Sequence, residues 1–78
     1  MIKFVVYLPN KGYVHFEAAR ESYIVDDPVD ATLYTSFEWA QKRLKRNAPI
    51  YIGTQQYNNK DFEIFEIEFR YKILMKVL

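Results

Sequence analysis

Cysteine is absent from this chain, which excludes disulfides, thiolate metal sites and a cysteine nucleophile. Histidine occurs once, at His15, and no Ser or Thr sits in a glycine-rich nucleophile turn. A Ser/His/Asp triad would have to be built on His15 without an oxyanion loop. Glycine occurs twice and proline three times, too sparse for a collagen-like or linker-like chain. No P-loop, dinucleotide fingerprint, zinc-ligand spacing or kinase motif is present. No apolar run approaches the ~20 residues of a membrane span. The opening Phe4–Leu8 run ends at Pro9-Asn10 with no small-residue cleavage site after it, so it reads as a strand and the expected location is cytoplasmic.

Aromatic residues, in contrast, are abundant: seven Tyr, six Phe and one Trp among 78 residues. A single domain over residues 1–78 is expected at this length. A chain this short buries only about 60 % of its unfolded surface, so fourteen rings cannot all be internal and several must face solvent or a partner. Net charge is +1 but unevenly placed. Residues 1–41 hold three Lys/Arg against six Asp/Glu, and residues 42–78 hold eight against four. Such a dipolar chain lacks the broad positive field of a general nucleic-acid binder.

Local patterns predict an α+β fold: a small antiparallel β-sheet with one α-helix packed on its apolar face, roughly β-β-(β)-α-β, ending in a long C-terminal strand. Ile2–Leu8 and Tyr13–Glu17 flank Pro9-Asn10-Lys11-Gly12, a hairpin with a four-residue loop in which Gly12 takes the left-handed position. In the second arm Val14 and Phe16 face one way, Tyr13 and His15 the other. Ser22–Val25 and Ala31–Tyr34 are further extended candidates. Thr35 with Glu38 fits a capping box for a helix from Ser36 to about Asn47, with Phe37, Ala40, Leu44 and Ala48 near one stripe and Pro49 as the stop. Ile50–Ile52 reads as a short strand and Gly53–Lys60 as a polar loop. From Phe65 onward alternation is strict, with Phe65, Ile67 and Phe69 on one face and Glu66, Glu68 and Arg70 on the other. Thirteen residues of strand span roughly 43 Å, against about 30 Å for a compact domain of this length. The strand therefore bends or reaches out to another chain.

Three charge clusters can carry function. Asp26, Asp27 and Asp30 lie around Pro28, which opposes the helix that a metal–diphosphate motif needs; they read as a solvated turn or an acidic patch for a basic partner. Lys42, Arg43, Lys45 and Arg46 form a basic helix end. They complement the helix dipole, or contact phosphate with Tyr51 or Tyr57 near for base stacking. Trp39 lies off the buried stripe and is either a core-edge residue or an exposed anchor. Glu66 and Glu68 followed by Arg70 and Lys72 give the last strand an acidic and a basic half, so two copies paired antiparallel would set opposite charges together in a homodimer. No catalytic residue, cofactor or metal is expected.

The run Ile2-Lys3-Phe4-Val5-Val6-Tyr7 with Gly12-Tyr13, then Asp30–Ala40 and the closing strand, resembles the layout of small, uncharacterised accessory proteins encoded by bacteriophages and prophages of Gram-positive bacteria. That resemblance covers most of the chain and assigns a role to no residue. It implies a non-enzymatic protein that binds a host protein in the host cytoplasm, among them inhibitors of host machinery and of defence systems such as CRISPR. A small nucleic-acid-binding module using the basic helix 42–46 is the alternative.

Overall fold

The computed structural model of the protein describes residues 1–17, 22–46 and 49–68. It is an α+β architecture: one helix, α1 (Phe37–Arg46), against a mostly antiparallel seven-stranded sheet. The strands are β1 (Ile2–Leu8), β2 (Gly12–Phe16), β3 (Ser22–Val25), β4 (Leu33–Tyr34), β5 (Ile50–Ile52), β6 (Gln55–Tyr57) and β7 (Glu63–Glu68). The expected Ile2–Leu8, Ser22–Val25 and Ile50–Ile52 strands are all present. The expected polar loop at Gly53–Lys60 contains β6 and a 3-10 turn over Asn59–Asp61.

β1 is the centre of the sheet. One of its edges pairs with β7 from Ile2↔Glu68 to Tyr7↔Glu63. The other edge is shared. β2 pairs only near the hairpin tip, at Tyr7↔Tyr13 and Leu8↔Gly12. Further along, the hairpin arms part and β4 fills the gap, pairing Phe4↔Tyr34 and Val5↔Leu33. Thr32 stitches this wedge to β2. Its amide donates to the Val14 carbonyl (3.3 Å), and its Oγ1 accepts from the Phe16 amide at 2.7 Å. β3 continues antiparallel from β2, and a single parallel pair, Ser22↔Ile52, joins the β5–β6 hairpin to it.

The turns depart from the sequence reading in instructive ways. The first hairpin loop has three residues, Pro9-Asn10-Lys11, because Leu8 and Gly12 already pair. Its left-handed residue is Asn10 (φ 64°), whose short polar side chain tolerates that region. Gly12 instead has φ +146°, at a point where the backbone runs close to β3. Gly53 (φ 64°) opens a two-residue loop between Ile52 and Gln55, as tight hairpins require. The helix starts one residue later than the Thr35 capping box predicts. Ser36 is the cap: its Oγ accepts from the Trp39 amide at 3.2 Å, which leaves Glu38 outside the reciprocal position.

Two faces of the sheet differ in what covers them. Val6, Leu8, Val14, Phe16 and Ile50 pack with Ala40 and Leu44 of α1 and with Phe62, forming the core. Phe37 flanks it, edge-on to Phe4 at 6.4 Å. Ile64 joins this side, and the register Val6↔Ile64 and Val5↔Phe65 places Phe65 and Ile67 on the opposite face. The alternation expected from Phe65 onward is present over residues 65–68, but α1 covers the Ile64 face rather than the Phe65 face. The remainder of that strand, including Phe69, lies outside the described residues. Among the described residues no helix is long and apolar enough to cross a membrane.

Candidate functional site: an aromatic sheet face and a basic cleft

The face away from α1 gathers rings because cross-strand pairs alternate in register. Tyr7 and Tyr13 are direct partners with centroids 5.1 Å apart. Phe65, diagonal to Tyr7, stacks on it at 4.8 Å and 25° and meets Tyr13 edge-on at 6.4 Å. One strand further, His15 stacks on its partner Tyr23 at 4.8 Å. Val5 is fully buried on this face, between its register partners Phe65 and Leu33. Phe65 and Tyr23 remain 36 % and 44 % exposed, which makes this a surface, not a second core.

The β3–β4 connection bounds this face. It leaves β3 beyond β2 and returns between β1 and β2, so it must cross β2. A contact of 3.1 Å between His15 Nδ1 and the Asp30 carbonyl puts the crossing on the aromatic side. Pro28–Asp30 form a 3-10 turn here, capped by Asp27, whose Oδ1 accepts from the Val29 amide at 2.9 Å. Asp26, Asp27 and Asp30 are exposed, and Val29 is exposed between them. Glu63 shares the aromatic face as the partner of Tyr7 and is also exposed. Rings thus lie beside carboxylates. Among the described residues, no three His, Asp or Glu side chains are grouped to hold a metal ion.

On the other side of the molecule, α1 and β4 enclose an open cleft of about 650 Å³ lined by Tyr34, Trp39, Lys42, Arg43, Lys45 and Arg46. Trp39 is 59 % exposed, so it is a surface ring and not a core-edge residue. Lys42 Nζ lies 4.9 Å from its ring centroid. Arg43 is half-buried, its guanidinium 5.1 Å from the Phe16 ring. The Tyr34 hydroxyl is pushed up to about 12 by burial, against the opposing pull of the Arg43 charge. Trp39 lies in the first turn of α1 and the four cations toward its C-terminal end, and all five line the cleft, whereas Tyr51 and Tyr57, expected near the cations for stacking, do not. Tyr57 packs edge-on against Phe62 at 5.9 Å in the core region, and Tyr51 alternates to the face opposite Ile50. Tyr34 takes their place; its position just before the helix cap was the available signal.

Glu66 and Glu68 are exposed on β7, opposite Phe4 and Ile2. Among the described residues β7 pairs with β1 alone and so forms an edge of the sheet. Arg70 and Lys72 lie outside the described residues. The ring cluster of Tyr7, Tyr13 and Phe65 was not singled out from sequence, because the four-residue loop expected there would pair Leu8 with Tyr13 and the hairpin alone does not place Phe65.

No protein-family model, curated protein or solved structure matches the chain.

Proposed function

We propose that this is a non-enzymatic binding protein that acts by occupying a protein partner's surface, with the aromatic sheet face as its contact. The carrying observation is the convergence of Tyr7, Tyr13, Tyr23 and Phe65 on the face away from α1, beside the carboxylates of Asp26, Asp27, Asp30 and Glu63. Large rings with partial exposure are the residues that supply desolvated anchors in interfaces. The adjacent carboxylates select a partner that presents Lys or Arg, whose flat or extended cations stack on rings while pairing with carboxylates. The one imidazole supports a non-catalytic reading. His15 stacks on Tyr23 and has its Nδ1 3.1 Å from the Asp30 backbone carbonyl, so one ring face and one nitrogen are engaged in holding the fold. Taken with the resemblance to phage accessory proteins, the partner is a host protein in the host cytoplasm, in its machinery or in a defence system such as CRISPR. The last strand adds a second contact in this proposal, a homodimer paired antiparallel along β7.

Site-specific photocrosslinking tests the contact face. A photoreactive side chain at Tyr23 or Phe65 should crosslink the partner, while one at Gln41, on the helix side, should not. With the purified partner, Tyr23→Ala/Phe65→Ala, assayed well below its own lowered melting temperature, should weaken binding at least tenfold. Asp26→Lys and Glu63→Lys should slow association in a salt-dependent way. Crosslinks from Gln41 alone, or full affinity in the double variant, overturn the reading.

A further inference from the structure

We infer that the cleft between α1 and β4 binds single-stranded nucleic acid, by stacking an unpaired base on Trp39 and holding the adjoining phosphates on Lys42, Lys45 and Arg46. This site is separate from the aromatic sheet face and goes beyond the protein-contact reading.

Three observations carry it. Among the described residues the cleft lining contains cations and two rings and no carboxylate, so the charge it presents is positive although the whole chain is nearly neutral. Trp39 lines the cleft and is 59 % exposed, and its present neighbour is a cation, Lys42 Nζ at 4.9 Å. A base taking that place releases the ammonium to a phosphate one helical turn away, so stacking and charge pairing are gained together. Finally, Lys42, Lys45 and Arg46 follow Trp39 at three, six and seven residues. That spacing keeps Lys42 and Arg46 within about 60° of Trp39 around the axis, along about 10 Å of helix, with Lys45 about 120° round at the cleft margin. Tyr34, whose hydroxyl stays protonated at neutral pH, adds a donor on the opposite wall.

The strand state follows from the same geometry. Stacking on an indole needs a base whose face is free, which duplex DNA does not offer. Charge contact alone, with at most four cations, gives a duplex only a shallow grip. RNA and DNA single strands share the chemistry and differ only at the 2′-hydroxyl.

Trp39 is the sole tryptophan, so its fluorescence reports the site directly. A twelve-nucleotide oligothymidylate titrated at low salt should quench it. The same strand in a duplex should bind at least tenfold more weakly, and inorganic tripolyphosphate should compete without comparable quenching. The logarithm of affinity should fall with the logarithm of salt at a slope of about −2 to −3, as three or four released counterions on a single strand require. By anisotropy of a labelled strand, Trp39→Ala should weaken binding roughly 5- to 100-fold. Lys42→Ala/Arg46→Ala should flatten the salt slope. Both sets lie on exposed positions, and a thermal melt checks that they fold. Absence of quenching, equal affinity for duplex, or a Trp39→Ala variant that binds as tightly as the parent overturns the inference. Tyr23→Ala/Phe65→Ala should leave strand binding intact, which separates this test from that of the sheet face.

Discussion

Gly12 and Gly53 both have positive φ, but for different reasons, and substitution separates them. A Cβ at Gly12 would stand 2.7 Å from Ile24 Cγ2 and 2.9 Å from the Val25 carbonyl oxygen, and the second of these is backbone that cannot swing aside. Overpacking and backbone strain add here, so Gly12→Ala should cost about 3 kcal/mol or more in urea unfolding. At Gly53 nothing lies within 4 Å, and only the left-handed φ of 64° opposes a side chain. Gly53→Ala should therefore cost about 1–2 kcal/mol. Tyr34 makes a second residue-level expectation. Its folded pKa is raised from 10.0 to about 12, chiefly by burial of the phenol. Folding thus favours the protonated form. The contribution to stability is whole below pH 10 and is lost as pH rises from 10 toward 12. Ultraviolet titration should show one tyrosine ionising late, a component that Tyr34→Phe removes. The parent's melting temperature should also fall more steeply than that of Tyr34→Phe over the same interval.

Between residue and fold stands β4, a strand of two residues held by what surrounds it. The parted arms of β1 and β2 leave backbone groups that only the inserted segment satisfies. The Phe16 amide has Thr32 Oγ1 at 2.7 Å, and the same hydroxyl lies 3.4 Å from the Phe16 carbonyl. Thr32→Val keeps the shape and removes both bonds, so it should destabilise by about 1–3 kcal/mol, while Thr32→Ser should recover most of that. Denaturant midpoints of the two variants decide it. This wedge also marks where sequence reasoning stops. The apolar run Ile2–Leu8 and the alternation of Tyr13–Glu17 announce two strands and a tip, and they are silent on whether the arms stay together, because a splayed hairpin has the same pattern as a closed one. The helix was legible from Phe37, Ala40 and Leu44, whose spacing makes one stripe. Its cap was not, since Thr35 and Ser36 compete for the same amides and tertiary placement decides between them. β6 escaped because Gln55 and Gln56 carry no apolar signal; the Gly53-Thr54 turn was its only trace. Of the two candidate surfaces, the cations of the cleft were visible as a run, Lys42-Arg43-Leu44-Lys45-Arg46. The ring cluster was not, because it unites Tyr7, Tyr13 and Phe65 from three strands, and only the register brings them together.

At the scale of the molecule, the sheet has its most acidic strand at an edge. β7 exposes Glu63, Glu66 and Glu68, and its outer side meets no partner among the described residues. Carboxylates on an edge strand discourage indiscriminate pairing and favour a partner of opposite charge. With Arg70 and Lys72 following in the sequence, an antiparallel twofold pairing supplies that charge from a second copy. Sedimentation at tens of micromolar should give a dimer. Glu66→Lys/Glu68→Lys should convert it to a monomer, and adding Arg70→Glu/Lys72→Glu should restore it. A parent that sediments as a monomer removes the claim. The pairing of β1 with β7 has a further consequence, in the order in which the cell makes the chain. Ile2–Tyr7 are synthesised before Glu63–Glu68 and wait for them, about 60 residues later. At ordinary rates of synthesis that interval is roughly 3–12 s. Throughout it, Phe4, Val5 and Val6 belong to a strand whose longest edge has nothing to pair with. The fold therefore closes only once Glu63–Glu68 have emerged to pair with β1. Conditions that slow elongation or crowd nascent chains should lower soluble yield more than the stability of the finished protein would suggest.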